Sequence, residues 1–461
     1  MPRRIVRIEV LFTLAAAALP MGFAARGQTP HHPAPGARSG TVLIFPFENG
    51  SKDANLDWLG EGLAELTAER LESRGVAVLT RQERLAALEK LGLPGASTFS
   101  HATMIKVGGA ADADQIVFGS FAFDGKQIAL RARVLGLSPL ALSEEFEQSA
   151  ARDELLRAHA RLAAQLLCVI ERGGCADSNA AARESSFTEP PPTLTLDTFQ
   201  SFVRGVMAPD DEARLRLLRE AARQEPAWDL AAFHVGQIYF ERRDCESALP
   251  WLSRVPPDRP RGAEASFDGG VCHLIRNDDA RAEASFSALI ERAHSSDPAD
   301  TIPELAEARN NLGVARLRLR KWPEAAAEFE RATVLDGGEP SYWFNLGLAR
   351  MAAGDPAAAV DPLQHALSLD ANDAEARSVL IAALEAAGRR DDAEARRKEG
   401  PESDAAHPLA PVPKDPAALA RLARITMRLD PAALRPPAET PAAAQPGSSG
   451  AGLRAVTGEQ Q

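Results

Sequence analysis

The 461-residue chain is poor in aromatic residues (5%), has a formal net charge of −12 and carries only four cysteines. The first two properties exclude nucleic acid as a main partner, because neutralising phosphates takes clustered Lys and Arg, and holding single strands takes aromatic stacking platforms. After residue 27 no apolar run reaches the ~20 residues that a bilayer span requires, so no membrane span is expected once that leader is removed. Catalytic signatures are missing as well: no Gly-x-Ser-x-Gly elbow, no Walker-type loop, no His-Glu-x-x-His and no Cys/His set at zinc spacing. The expectation is therefore a non-enzymatic chain without cofactor or metal.

Isolated polar groups fit the same reading. Asp278-Asp279 and Asp391-Asp392 fall where Asp would cap a second helix, and His234, His273 and His365 are scattered as packing or surface residues. Gly60-Glu61-Gly62 lacks the third glycine of a nucleotide loop, and apolar periodicity runs straight through it, as in a helix.

What the chain does contain is a repeat. Asn311-Leu312-Gly313-Val314-Ala315-Arg316 returns 34 residues later as Asn345-Leu346-Gly347-Leu348-Ala349-Arg350. The match stays in phase, since Ala325 recurs as Ala359, Phe329 as Leu363, Ala332 as Ala366 and Asp336 as Asp370. Gly236 and Gly270 form a second pair, with Arg242-Asp244-Ala248 answered by Arg276-Asp278-Ala282. A 34-residue period is that of a helix-turn-helix unit. Its glycine lets the second helix approach the first, and its alanine is the small partner. Together with Trp343, Leu346, Gly347, Ala359, Leu363 and Ala366, this pattern resembles the tetratricopeptide repeat (TPR) family.

About six repeats are expected over residues 195–400, with extra residues near Ser295 to Ile302 and a polar cap at about 373–398, where Ile381 replaces the glycine. The resemblance implies a concave groove lined by the first helices. The positions flanking each glycine are Phe233, Gln237, Phe240, Phe267, Val271, Leu274, Asn310, Val314, Phe344, Leu348 and Met351. This set is mostly apolar, with Asn310 as a polar clip. Its expected occupant is an apolar or amphipathic peptide segment of a protein partner. The other expected occupant is the chain itself, through its first domain or through a helix at 414–434, where Leu419, Leu422, Ile425 and Leu429 would share a face.

Upstream, residues 40–172 alternate strand and helix patterns. Thr41 to Phe47 is a β-branched apolar run, Asp57 is expected to cap a leucine-rich helix, Val76 to Leu79 reads as a strand, Asp124-Gly125 marks a hairpin, and a third antiparallel strand is expected near Leu140 to Phe146. Val42-Leu43-Ile44-Phe45-Pro46-Phe47, Trp58-Leu59-Gly60 and the Gly109 to Ser120 stretch resemble the TolB-amino-terminal-like domain. That family implies a non-catalytic module for envelope assembly. The fold class expected is thus an α/β amino-terminal domain followed by an all-α tetratricopeptide-repeat solenoid.

Residues 1–27 read as a secretory signal peptide: Arg3, Arg4 and Arg7 precede the apolar run Val10 to Leu19, followed by small residues. Retention as an anchor is the alternative. A Pro-rich leader (28–39) holding His31 and His32, a linker (173–194) and an Ala/Pro-rich tail (401–461) complete the chain. Export makes disulfides available. Two local pairs are expected, Cys168–Cys175 and Cys245–Cys272, against four buried thiols. The functional expectation is an exported scaffold or adaptor of the bacterial envelope, with a ligand-sensing α/β module as the alternative.

Overall fold

The computed structural model describes residues 40–51, 53–95, 98–171, 194–295, 302–398 and 411–434. The signal segment, the leader with His31 and His32, Cys175 and most of the inserted loop near 295–302 lie outside them.

An α/β unit comes first. Strands β1 (Val42–Ile44) and β2 (Glu48–Asn49) run parallel to β3 (Gln115–Phe123), which pairs antiparallel with β4 (Gln127–Leu137). The short β5 (Leu140–Leu142) and β6 (Phe146–Ala151) both pair with β4, in place of one continuous third strand. Gly125, with φ of +99°, takes the first central position of the β3–β4 turn, where the backbone excludes most side chains. Successive residues of a strand face opposite sides. Accordingly Val42 and Ile44 pack with helices α1 (Trp58–Glu72) and α4 (Leu155–Ile170), while Leu43 and Phe45 pack with α2 (Arg81–Lys90) and α3 (His101–Ala110).

Two local expectations change. Val76–Leu79 makes a single bridge, Val42 to Val78, and no strand. Asp57 makes no cap on α1, because a 3₁₀ turn at Ala54–Leu56 already places it in helical conformation; its carboxylate instead accepts from the Asn49 amide at 2.7 Å.

The array follows as antiparallel helix pairs. They are α5 (Leu196–Met207) with α6 (Asp211–Gln224), α7 (Asp229–Glu241) with α8 (Cys245–Leu252), and α9 (Gly262–Ile275) with α10 (Asp279–Ala293). Then come α11 (Ala306–Arg318) with α12 (Trp322–Leu335), α13 (Pro340–Ala352) with α14 (Pro356–Leu369), and α15 (Ala374–Ala386) with α16 (Arg390–Lys398). The glycines do the work their period implies. A Cβ on Gly236, Gly270, Gly313 or Gly347 would stand 2.5–2.7 Å from Leu252, Phe286, Phe329 or Leu363 of the paired helix. Gly205 meets Leu218 in the same way, so the first pair shares the pattern. Among the described residues no helix is long and apolar enough to cross a membrane.

The α/β unit and the start of the array share one core, in which Phe199, Phe202, Trp228 and Val235 pack with Leu59, Leu63 and Leu166. The Gly60-Glu61-Gly62 stretch is helical and serves this packing. Gly60 lets the Phe47 carbonyl approach, and a Cβ on Gly62 would sit 2.8 Å from Phe199 and Val203. Trp58 meets Phe199 edge-on at 5.8 Å.

Cys245 and Cys272 are joined as a disulfide, with Cα atoms 5.1 Å apart. It fastens the start of α8 to α9 in the next repeat. Cys168 is buried in the last turn of α4.

Candidate functional site

The row formed by α7, α9, α11 and α13 is where the groove was expected, and most of the named residues there are interior. Phe233 and Phe240 on α7, Phe267, Val271 and Leu274 on α9, Val314 on α11, and Phe344 and Leu348 on α13 are all buried in the array core. Phe267, for example, packs edge-on against Phe286 at 5.6 Å, within its own repeat. Gln237 and Met351 are half-buried, and Asn310 is fully buried.

The chain's own residues 411–434 occupy this surface. The helix expected over 414–434 is one turn, α17 (Pro416–Leu419), with Asp415 accepting from Ala418 N–H, extended by a 3₁₀ turn at Ala420–Leu422. From Ala423 (φ −61°, ψ 132°) to Asp430 the backbone is non-helical. The reason is competition for the backbone groups, since those a helix would use internally are taken by side chains of the array. Asn345 donates to the Arg424 carbonyl at 2.9 Å and accepts its N–H at 2.8 Å. Asn311, one repeat earlier, does the same to Thr426, both bonds being 2.8 Å. Equivalent asparagines 34 residues apart thus read the main chain of alternate tail residues.

Asn310 completes the row. Its amide donates to the Arg424 carbonyl and the Thr426 hydroxyl, each at 3.0 Å, while its oxygen accepts from Asn345 at 2.8 Å. Leu419, Ala420, Ala423 and Leu429 are buried in the array core, where each leucine removed from water contributes up to ~1.5–3 kcal/mol.

One tail side chain is read in detail. The Arg424 guanidinium forms a bidentate pair with Asp373, at 2.6 and 2.8 Å, and reaches Glu375 at 3.2 Å. Its Cζ lies 3.8 Å from the Phe344 ring centroid, in cation–π geometry. Burial alone would raise the Asp373 carboxyl, but the Arg424 guanidinium, together with the Ala376 and Glu375 N–H groups, outweighs it and holds the group below the usual carboxylate range. Further along, Asp268 is buried and pushed well up, by burial first and then by Glu264 and Glu241, with Arg428 of the tail partly offsetting this.

Asn310, Asn311, Phe344, Asn345, Asp373, Glu375 and Arg424 carry this site, and of these Asn310 and Phe344 were expected as groove lining. The signal for two of them was present: Asn311 and Asn345 each head the repeated hexapeptide, a position no interhelix packing requires to be polar.

A second concavity lies at the seam of the α/β unit and α5. It has a volume of about 560 Å³ and is lined among others by Phe47, Trp58, Phe99, Glu61 and Arg204. Glu61 accepts from Arg81 at 2.9 Å and pairs with Arg84. Deeper in the seam, burial pushes Glu69 up to about 7 and His234 down to about 3. The buried His159, whose ring nitrogens meet Thr67 and Arg70, is held well below its usual range by desolvation and then by Arg70. Among the described residues no group of three or more His, Cys, Asp or Glu could hold a metal ion.

The described family "Tetratricopeptide repeat" matches residues 299–340 and 310–374. Among solved structures, the chain is similar to "Crystal structure of MamA protein", at 22% identity over 40% of this chain and 98% of that one, with a TM-score of 0.34. It is also similar to "Crystal structure of YrrB: a TPR protein with an unusual peptide-binding site", at 15% identity over 42% and 94% of the two chains, with a TM-score of 0.35. No curated protein sequence matches the chain. The family match identifies tetratricopeptide repeats at residues 299–374, and the same glycine packing recurs in the helix pairs before them, behind an α/β sheet unit.

Proposed function

We propose that this protein is an exported, non-enzymatic scaffold or adaptor of the bacterial envelope, whose repeat groove holds a non-helical peptide segment of a protein partner. One observation carries the reading: the array grips peptide backbone through Asn310, Asn311 and Asn345. Side-chain amides that exchange two hydrogen bonds with one residue's N–H and C=O recognise a main chain in any sequence. The apolar residues under Ala423 and Leu429 suit an amphipathic segment. The α/β unit, in its resemblance to the TolB-amino-terminal-like domain, adds an assembly module. The basic and apolar leader and the Cys245–Cys272 disulfide both suit an oxidising, extracytoplasmic compartment.

The test places a photo-crosslinker at half-buried Met351 in the full chain, beside an Asn311→Ala/Asn345→Ala version. A partner cross-linked by the first and lost by the second supports the reading; equal cross-linking by both, or none by either, overturns it. Amino-terminal sequencing of protein from the periplasmic fraction is expected to start near residue 28.

The seam concavity favours a second reading, in which the α/β unit binds a small molecule that the repeats report. Saturable stabilisation of the full chain by a small molecule, lost in Arg204→Ala, would favour it.

A further inference from the structure

Building on the scaffold reading, we infer that residues 419–430 are an intramolecular competitor for the groove, and that the partner is a peptide presenting arginine two residues before a small hydroxyl residue.

The bound tail shows what the groove selects. Backbone recognition by the asparagines is indifferent to sequence, so selectivity has to come from side chains. Arg424 meets three features at once: a bidentate carboxylate (Asp373), a second carboxylate (Glu375) and an aromatic face (Phe344). A planar guanidinium satisfies all three, whereas a lysine ammonium cannot span a bidentate carboxylate in the same way. Two residues on, the Thr426 hydroxyl accepts from Asn310 at 3.0 Å. A small hydroxyl side chain fits there. The residue before the arginine is buried Ala423, so small apolar character belongs at that position.

The mode of docking makes the tail a competitor as well as a lid. The groove surface it covers holds buried asparagine amides and a buried carboxylate, which would lack their partners in a dry vacant groove. A peptide of the same chemistry replaces those partners group for group. A tethered segment acts at an effective concentration on the order of millimolar. Free peptide therefore competes poorly until the tail is weakened.

The experiment measures anisotropy of a fluorescein-labelled synthetic peptide spanning residues 417–430, titrated with the full chain and with full-chain Arg424→Glu. In the variant the tail glutamate faces Asp373 and Glu375, and the groove is vacated. The expected result is at least about tenfold tighter peptide binding by the variant than by the wild type. The same peptide carrying Arg424→Ala should lose at least about tenfold on the variant. Equal binding by both chains, or equal binding of both peptides, overturns the inference. Should the variant not fold, hydrogen exchange on the wild-type chain answers instead: excess peptide should strip protection from the Arg424 and Thr426 amides, and unchanged protection overturns the proposal. A chain that cross-links a partner at Met351 yet ignores the arginine peptide sinks this inference alone. Failure of both sinks the scaffold reading with it.

Discussion

The two ends of the repeat array are closed by different physics. At the amino end, Trp58, Leu59 and Leu63 of α1 share a core with Phe199, Phe202 and Trp228, and Gly62 is bare so that α5 can seat. Toward the carboxyl end, an irregular segment is held by side-chain amides on its backbone and by one arginine. Apolar burial on that scale is lost only with the fold itself. Hydrogen bonds to a docked segment contribute ~0.5–1.5 kcal/mol each and can be handed to another peptide. The contrast separates a permanent seam from a replaceable occupant.

The largest way to break the contrast is to spoil the permanent side. Gly62→Leu forces a branched side chain against Phe199 and Val203, and Gly205→Leu does so against Leu218. Each is expected to cost ~3 kcal/mol or more, at the upper end of overpacking effects, as read from urea denaturation. Next, reducing Cys245–Cys272, or Cys245→Ser with Cys272→Ser, removes a crosslink with a sequence separation of 27. The expected loss is ~3 kcal/mol, confined to thermal unfolding of the array.

Arg424→Ala sharpens the contrast from the other side. It removes the Asp373 pair while leaving the seam untouched, so overall stability should fall by only ~1–3 kcal/mol while hydrogen exchange at residues 423–430 rises sharply. A tail that stays protected in this variant would mean that apolar burial alone holds it.

The smallest effect is on pH. His234 is depressed by burial to about 3, so its contribution is complete above its unfolded value near 6.5 and is lost as pH falls toward 3. Glu69 is raised by burial to about 7, so its contribution is complete below 4.5 and is lost as pH rises through 7. The two trends oppose each other between pH 4.5 and 6.5. Glu69→Gln should therefore expose the acid-induced loss, and His234→Phe should diminish it, both followed as the denaturation midpoint against pH.

Much of the architecture was legible because repetition is a signal in itself. Glycine and alanine at fixed phase state that two helices touch, and the structure puts Gly313 on Phe329 and Gly347 on Leu363. The apolar run Thr41 to Phe47 likewise read as a strand, and the structure buries Val42 and Ile44 on one face and Leu43 and Phe45 on the other. The site was less legible. Apolar positions flanking the glycines read as groove lining, yet residues such as Phe267 face the paired helix, because first helices in an array are buried on several sides. The tail was read as a helix from Leu419, Leu422, Ile425 and Leu429, a spacing that a groove-bound segment also satisfies by burying Leu419 and Leu429.

By itself the sequence determined the repeat period, the helix pairing, the α/β unit ahead of it and the Cys245–Cys272 neighbourhood, because each depends on contacts local in the chain or repeated at a constant interval. Only the tertiary structure decided that residues 411–434 lie in the groove, that Asn311 and Asn345 hold them and that Asp373 binds Arg424. Those contacts join residues 51 to 115 positions apart, and no periodicity records a pairing made once.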